Sequence, residues 1–128
     1  KTIGVALSDP MFLIANPLET IKRKKASLDI YRLVEIINEY DVETIVVGLP
    51  KNMNNSIGPQ SMKVMSFVDL LKKQTDKEIV YQDERMTTLQ SERVLIDMDV
   101  RRENRKEHID KIAAGFILQT YLDGRKNG

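Results

Sequence analysis

The chain has 128 residues, of which 41% are hydrophobic, so it can form one ordinary core and is too short for two ordinary domains. Its 20 basic and 19 acidic side chains nearly cancel, so the net charge alone does not indicate a polyanionic partner. The absence of cysteine and the single histidine exclude a cysteine nucleophile and a structural zinc site, so any metal must be bound by oxygen.

Signals for membrane insertion and export are not seen in the sequence. No apolar run approaches the length of a membrane span, and no basic segment followed by an apolar stretch opens the chain. Together with the lack of cysteine, these features predict a cytoplasmic protein without disulfides.

The first half of the chain has the pattern of two strands, a helix and a third strand. In chain order, these elements are predicted at residues 2–7, 14–21, 28–40 and 44–47. Asn16-Pro17 makes the second strand irregular, and Ser27 is the expected N-cap of the helix. The third strand is a β-branched apolar run that is typical of burial on both faces.

The second half alternates between helix and strand. A helix is predicted to begin at Gly58-Pro59, a strand at residues 78–82, a helix at the capping box Thr87 to Gln90, and a last helix at residues 105–122. Asp123-Gly124 is the expected stop of that last helix. Five residues should form the apolar side of the helix after Gly58: Met62, Met65, Phe67, Val68 and Leu71. This order predicts an α/β fold with a sheet that is partly antiparallel and partly parallel.

Asp110 is the most informative single position. On a helical wheel it falls between Ile117 and Tyr121, inside the apolar arc of the last helix. The predicted solvent side of that helix is formed by His108, Lys111, Gly115 and Gln119. A carboxylate that faces the core needs a partner, which could be a divalent metal, a neighbouring backbone or the helix dipole.

Asp83 and Glu84 follow an apolar strand directly, at the end where α/β sheets place their binding crevices. Taken alone, Asp83-Glu84-Arg85 has the composition of a solvated turn. In combination with Asp110 it favours a magnesium site, because hard cations prefer carboxylate oxygens. Asp9 is a further strand-end acid and is interpreted first as a turn residue and only second as a site residue.

Three polar or basic segments could contact phosphate. The loop at residues 51–56, with Lys51 and Asn52, lies between a strand end and a helix start, where anions are stabilised. Residues 22–25 and the basic side chains at positions 101, 102, 105 and 106 could bind a phosphate backbone. Each segment alone is also compatible with a solvated loop.

Four motifs and the apolar segment that follows them occur in an order that resembles the YqgF family. They are residues 2–9 (TIGVALSD), 46–53 (VVGLPKNM), 83–88 (DERMTT) and 109–114 (IDKIAA), followed by 117–122 (ILQTYL). Members of this family are described as Holliday-junction resolvase-like proteins and as nucleases that mature the end of pre-16S ribosomal RNA. The resemblance covers essentially the entire chain.

The resemblance implies a single RNase H-like domain over residues 1–128. Its mixed five-stranded sheet would have an antiparallel meander of three strands and two parallel strands, flanked by helices. Family members begin with a strand that carries an Asp-x-Gly element ahead of the segment matched by residues 1–4. This central strand is expected to be missing from the chain, which would remove one metal ligand and leave the fragment inactive.

The resemblance also implies a metal-dependent phosphodiesterase that uses Mg²⁺ or Mn²⁺. Carried over by position, the metal-binding and catalytic residues are Asp83, Glu84 and Asp110. Because strand neighbours point to opposite faces, only one of Asp83 and Glu84 should face the metal. Lys51, Asn52 and Arg85 are the predicted substrate-binding residues.

Several functional interpretations remain open at this point. The first is endonucleolytic processing of pre-16S ribosomal RNA, by in-line attack of water on a phosphodiester with metal ions stabilising the nucleophile and the leaving oxygen. The others are a resolvase of branched DNA, and a non-cleaving module that binds RNA or a protein partner. An actin-like nucleotide-binding fragment is disfavoured, because the chain is too short for two such lobes.

Overall fold

The computed structural model describes residues 2–50, 57–83 and 102–127. It contains four strands and three helices in these ranges: β1 (Thr2–Ser8), β2 (Ala15–Lys22), α1 (Ala26–Glu39), β3 (Thr44–Leu49), α2 (Pro59–Lys72), β4 (Glu78–Asp83) and α3 (Arg102–Asn127). The predicted mixed α/β fold is therefore confirmed. The helix predicted from Thr87 lies outside the described residues.

The chain divides into two compact units. The hairpin unit consists of Lys1–Lys22 and Glu84–Gly128, and the parallel unit consists of Arg23–Asp83. None of the helices in the described ranges has the length and hydrophobicity that a membrane crossing requires.

In the hairpin unit, β1 and β2 form an antiparallel pair that runs from Thr2 opposite Lys22 to Ser8 opposite Ala15. The register shifts between Val5 and Ala6, and Ala6 then faces Pro17. Because proline has no N–H to give to the ladder, it is tolerated where the pairing is interrupted. The irregularity predicted from Asn16-Pro17 is therefore confirmed.

In the parallel unit, β3 and β4 pair in parallel from Thr44 opposite Glu78 to Leu49 opposite Asp83. The buried apolar side chains of this unit belong to both helices and the end of β3: Ile30, Ile36, Ile37, Leu49, Val68 and Leu71. The rest of β3 is only half-buried, so the prediction of a strand buried on both faces is wrong. The helices cover this strand incompletely.

The start of α1 differs from the prediction. The helix begins at Ala26 with Lys25 in the N-cap position, so Ser27 is already a helical residue. The side chain of Asp29 is 2% exposed, and its carboxylate accepts hydrogen bonds from the Lys24 N–H at 3.2 Å and from Arg23 Nε at 3.0 Å. This buried carboxylate fixes the preceding turn, so the helix does not depend on a serine cap.

The start of α2 agrees with the prediction, because Gly58 is the N-cap and Pro59 opens the helix. The predicted apolar side is wrong in part, since Met62 is 62% exposed and Met65 38% exposed. Ser61 is fully buried, and its hydroxyl donates a hydrogen bond to the carbonyl of Pro50. This bond, with Val68 and Leu71 in the core, sets the rotation of the helix and leaves the two methionines outside.

The end of α3 also differs, because the helix continues past the expected stop at Asp123-Gly124 to Asn127. Apart from the adjoining residues and backbone of the helix itself, no atom of the described residues lies within 4 Å of the position that a Gly124 Cβ would take. No neighbour therefore forces the chain to turn there. A glycine in a helix costs only about 1 kcal/mol relative to alanine, which is not enough to end it.

Asp29→Ala should lower the free energy of unfolding by about 2 kcal/mol, because Arg23 and the Lys24 amide lose an ionised acceptor. Glu35→Ala is the control on the same helix. Its exposed pair with Arg32 spans 3.4 Å, and the loss should stay below about 0.5 kcal/mol. Urea unfolding of both variants measures the difference, and equal losses would contradict the role given to Asp29.

Candidate active site

Asp110 lies near the start of the described side chains of α3, in the hairpin unit, where the helix packs on β1 and β2. The residue is half-buried. Burial raises the pKa of its carboxyl above the usual value of 3.8. At neutral pH, a cation beside this carboxylate would therefore stabilise the charged form.

A close contact with β1 fixes the backbone at Asp110. A Cβ atom added at Gly4 would overlap with the carbonyl group of Asp110 and would lie 2.6 Å from the backbone nitrogen of Lys111. Real Cβ atoms essentially never approach backbone atoms so closely. Only glycine allows the helix to lie on the strand at this point, and glycine inside a strand commonly marks such an approach.

Two further contacts hold α3 on the hairpin. Gly115 lies against the ring of Pro17, with a distance of 3.6 Å from its Cβ position to Pro17 Cγ. The side chain of Gln119 accepts a hydrogen bond from the Ala15 N–H at 2.8 Å and donates one to the Leu13 carbonyl at 2.9 Å. Three contacts therefore position α3 along its length. They are Gly4 of β1 against Asp110, Gly115 of the helix against Pro17 of β2, and the Gln119 amide at the turn between the strands.

The predicted solvent side of α3 is wrong where the structure describes it. Gly115 is buried, Lys111 and Gln119 are half-buried, and the side chain of His108 lies outside the described residues. A hydrophobicity wheel cannot identify this face, because it contacts the hairpin through glycine and through an amide. The sequence feature that could have indicated this packing is Gly4, because a glycine within a strand often marks a close approach of another backbone.

Asp9 is a turn residue, as its first interpretation held. Its carboxylate accepts hydrogen bonds from the N–H groups of Leu13 and Ile14, each at 2.7 Å, and of Met11 at 3.3 Å. These bonds, led by the one from Ile14, hold its pKa below the usual value. The carboxylate is thus engaged in shaping the turn between β1 and β2.

Asp83 is the last residue of β4, in the parallel unit, and is half-buried opposite Leu49. Since β3 and β4 run in parallel, their carboxyl ends lie at one edge. Four other predicted site residues lie outside the described ranges: Lys51, Asn52, Glu84 and Arg85. Within those ranges, Asp, Glu and His side chains do not gather into a group of three able to bind a metal. A metal site shared by Asp83 and Asp110 therefore stays a prediction.

A family model described as "RuvX: Holliday junction resolvase" matches residues 1–124. The chain belongs to this family. A protein of Thermoanaerobacter pseudethanolicus is 55% identical over 99% of the chain and 92% of its own length, and one of Clostridium tetani is 51% identical over the same shares. Both carry the name "Putative pre-16S rRNA nuclease".

A solved structure, the fowlpox virus resolvase in complex with Holliday junction DNA, has a similar fold. The TM-score is 0.53 at 10% identity, with 95% of this chain and 89% of the other covered, so the likeness shows the fold alone. The resemblance seen in the sequence is confirmed by the family match. The prediction of a hydrolase that acts on nucleic-acid phosphodiester bonds is confirmed at the level of the family.

Gly4→Ala should lower the free energy of unfolding by about 3 kcal/mol, because its methyl group would force α3 away from β1. Gly115→Ala is the matched change on the other side of this interface. Its methyl group meets Pro17 at an ordinary distance and favours helix, so it should raise stability by up to about 1 kcal/mol. Thermal or urea unfolding measures the change in stability of each variant. A Gly4→Ala variant as stable as the natural sequence would contradict the close contact.

Asp110→Asn should raise the free energy of unfolding at pH 7 when no divalent metal is present. Because the folded pKa of Asp110 is raised, its contribution to stability is fully present below pH 3.8 and is lost as pH rises through the folded pKa. The advantage of the variant should therefore vanish toward pH 3. Urea unfolding across this range measures it, and a difference independent of pH would show that the charge is not responsible.

Proposed function

We propose that the chain is a metal-dependent endonuclease that processes the end of pre-16S ribosomal RNA. Relatives that are 55% and 51% identical over nearly the whole chain carry the name "Putative pre-16S rRNA nuclease", which supports this proposal. The observation that carries the proposal in the structure is Asp110, a half-buried carboxylate whose backbone is fixed on β1 by Gly4. Burial disfavours the charged form of this carboxylate, so a role as metal ligand explains its position better than a role as a surface charge.

The proposed metal is Mg²⁺ or Mn²⁺, held by Asp110 together with Asp83 or Glu84. Carboxylate oxygens are the ligands that these hard cations prefer. Burial raises the pKa of Asp110, so a cation beside its carboxylate would stabilise the charged form, which supports the proposal. When bound, the metal would stabilise charge on the phosphodiester and lower the pKa of water.

The protein contributes the position of these carboxylates. Gly4 and Gln119 hold α3 against the hairpin, so Asp110 is kept at a defined place on β1. The register of β3 and β4 places Asp83 at the strand end. We propose that Lys51, Asn52 and Arg85 bind the phosphate groups of the substrate, since amide and cationic donors are suited to anionic oxygens.

A second candidate function is the resolution of branched DNA. It is favoured by the description of the matching family and by the viral resolvase of similar fold, which was solved with Holliday junction DNA. Both functions use the same phosphodiester chemistry, so the site does not separate them. Direct comparison of the two substrates does.

We further propose that the two strand pairs belong to one RNase H-like domain with a five-stranded sheet. In the family resemblance, the central strand precedes the segment matched by residues 1–4 and supplies another metal-binding aspartate. The half-buried apolar residues of β1 and β3 support this arrangement, because a further strand would cover them. Maturation of ribosomal RNA would take place in the cytoplasm.

The test is cleavage of a labelled pre-16S RNA and of a four-way DNA junction by the protein with the Asp-x-Gly strand ahead of Lys1. We expect RNA cleavage that requires Mg²⁺ or Mn²⁺. Asp110→Asn should lower the rate by about a hundredfold or more. Asp123→Asn is the control at an exposed position of the same helix. It keeps an oxygen that can accept the hydrogen bond from Gln119, so it should change the rate less than about twofold.

Each other outcome has a defined meaning. Cleavage of the junction alone would replace the RNA substrate with branched DNA. Binding of RNA without cleavage of either substrate would favour the interpretation as a non-cleaving RNA-binding module. Equal losses in Asp110→Asn and Asp123→Asn would remove Asp110 from the site.

A further inference from the structure

Three consecutive basic residues, Arg23, Lys24 and Lys25, connect β2 to α1. We call them the 23–25 cluster. All three are exposed, and they open the parallel unit. The cluster contains no candidate metal ligand, and all three of its residues belong to the parallel unit, whereas Asp110 belongs to the hairpin unit.

The side chain of Arg23 is held in a fixed orientation from two sides. Its Nε donates to the Asp29 carboxylate at 3.0 Å, and its guanidinium lies over the ring of Phe67 at 5.0 Å from the centroid. The side chain of Asp29 is almost completely buried, whereas that of Arg23 is 41% exposed. The conformational freedom of this arginine is therefore restricted before any ligand arrives.

The ion pair leaves donors available on the guanidinium. It engages only Nε, and no hydrogen bond to the two Nη atoms occurs within the described residues. Arginine presents its donors as a planar fork that matches the paired oxygens of phosphate. Arg23 can therefore hold Asp29 with one edge and an anion with the other.

The cluster carries three positive charges, and among the described residues one ion pair, between Arg23 and Asp29, involves it. Asp29 neutralises one of the three cations from the interior, through the Arg23 side chain and the Lys24 amide. The ammonium groups of Lys24 and Lys25 remain exposed beside the arginine. An oriented guanidinium with two flexible ammonium groups is suited to a ligand with several negative charges.

We propose that the 23–25 cluster is a phosphate-binding site for the backbone of a nucleic-acid strand. This inference rests on the proposed function in one respect, namely that the ligand of the chain is a nucleic acid. The cluster binds without regard to base identity, because phosphate contacts position a strand and do not read its sequence. Arg23 supplies the oriented contact, and Lys24 and Lys25 supply charge.

The test is binding of a fluorescein-labelled single-stranded RNA, measured by anisotropy at several salt concentrations with EDTA present. The protein is the one used for the cleavage assay, and EDTA prevents metal-dependent cleavage. The variant is the double change Lys24→Gln with Lys25→Gln. The control is Lys63→Gln with Lys72→Gln on α2, which removes the same charge from exposed positions of the same unit.

We expect the cluster variant to reduce the salt dependence of binding. Each lost phosphate contact lowers the slope of log affinity against log salt by about 0.7, so two contacts give about 1.4 and roughly 20-fold weaker binding at 0.1 M salt. The control should lose no more than about twofold. Arg23→Lys keeps the charge but not the fork, so it should keep the slope and weaken binding roughly fivefold.

Several outcomes would overturn the inference. They are equal losses of RNA affinity in the two double variants, and no loss of RNA affinity in either. Dependence on Lys24 and Lys25 with inorganic phosphate as the titrant, but not with RNA, would assign the cluster to a free anion instead.

Failure of the inference can be told apart from failure of the proposed function. If RNA binds through the cluster but is not cut in the cleavage assay, the cluster stands and the nuclease does not. If RNA is cut while the cluster variant binds like the natural sequence, only the cluster is wrong.

Discussion

The contact between Gly4 and the backbone of Asp110 is the constraint on which the arrangement of the hairpin unit depends. It brings the carbonyl of a helix residue onto a strand, at a distance that no side chain with a Cβ would permit. Gly115 at Pro17 and Gln119 at the turn continue the same interface along α3. A small residue at each crossing lets helix and strands approach closely, and the position of Asp110 follows from this approach.

If Asp110 has the proposed role, this arrangement sets stability against function at that residue. Burial of Asp110 disfavours its charged form, which weakens the folded state at neutral pH in the absence of a cation. Buried Asp29 is the contrasting case, because Arg23 and the Lys24 amide already satisfy it. The carboxylate of Asp29 is thus satisfied by the protein itself, whereas burial disfavours the charged form of Asp110, which we propose to bind a metal.

The sequence predicts the elements well wherever apolar spacing or turn chemistry carries the signal. Examples are the strands that became β1 and β4, the start of α2 at Gly58-Pro59 and the interruption at Pro17. It fails where tertiary contacts decide. The sequence predicts Ser27 as the N-cap of α1, but the hydrogen bonds of Asp29 fix the turn before the helix. It also predicts Gly115 and Gln119 on the solvent side, but both contact the hairpin. Asp110 was identified because a carboxylate inside an apolar arc contradicts the local pattern, whereas Gly4 carries no such contradiction.

We propose that Asp110 is a metal-binding carboxylate fixed on β1, and Mn²⁺-induced broadening of amide NMR signals tests this role most directly. We predict that substoichiometric Mn²⁺ broadens the signals of Gly4, Asp110 and Lys111 first, and that Asp110→Asn abolishes this selectivity. A broadening pattern centred on exposed acidic residues such as Asp76, or one that Asp110→Asn leaves unchanged, would contradict the account.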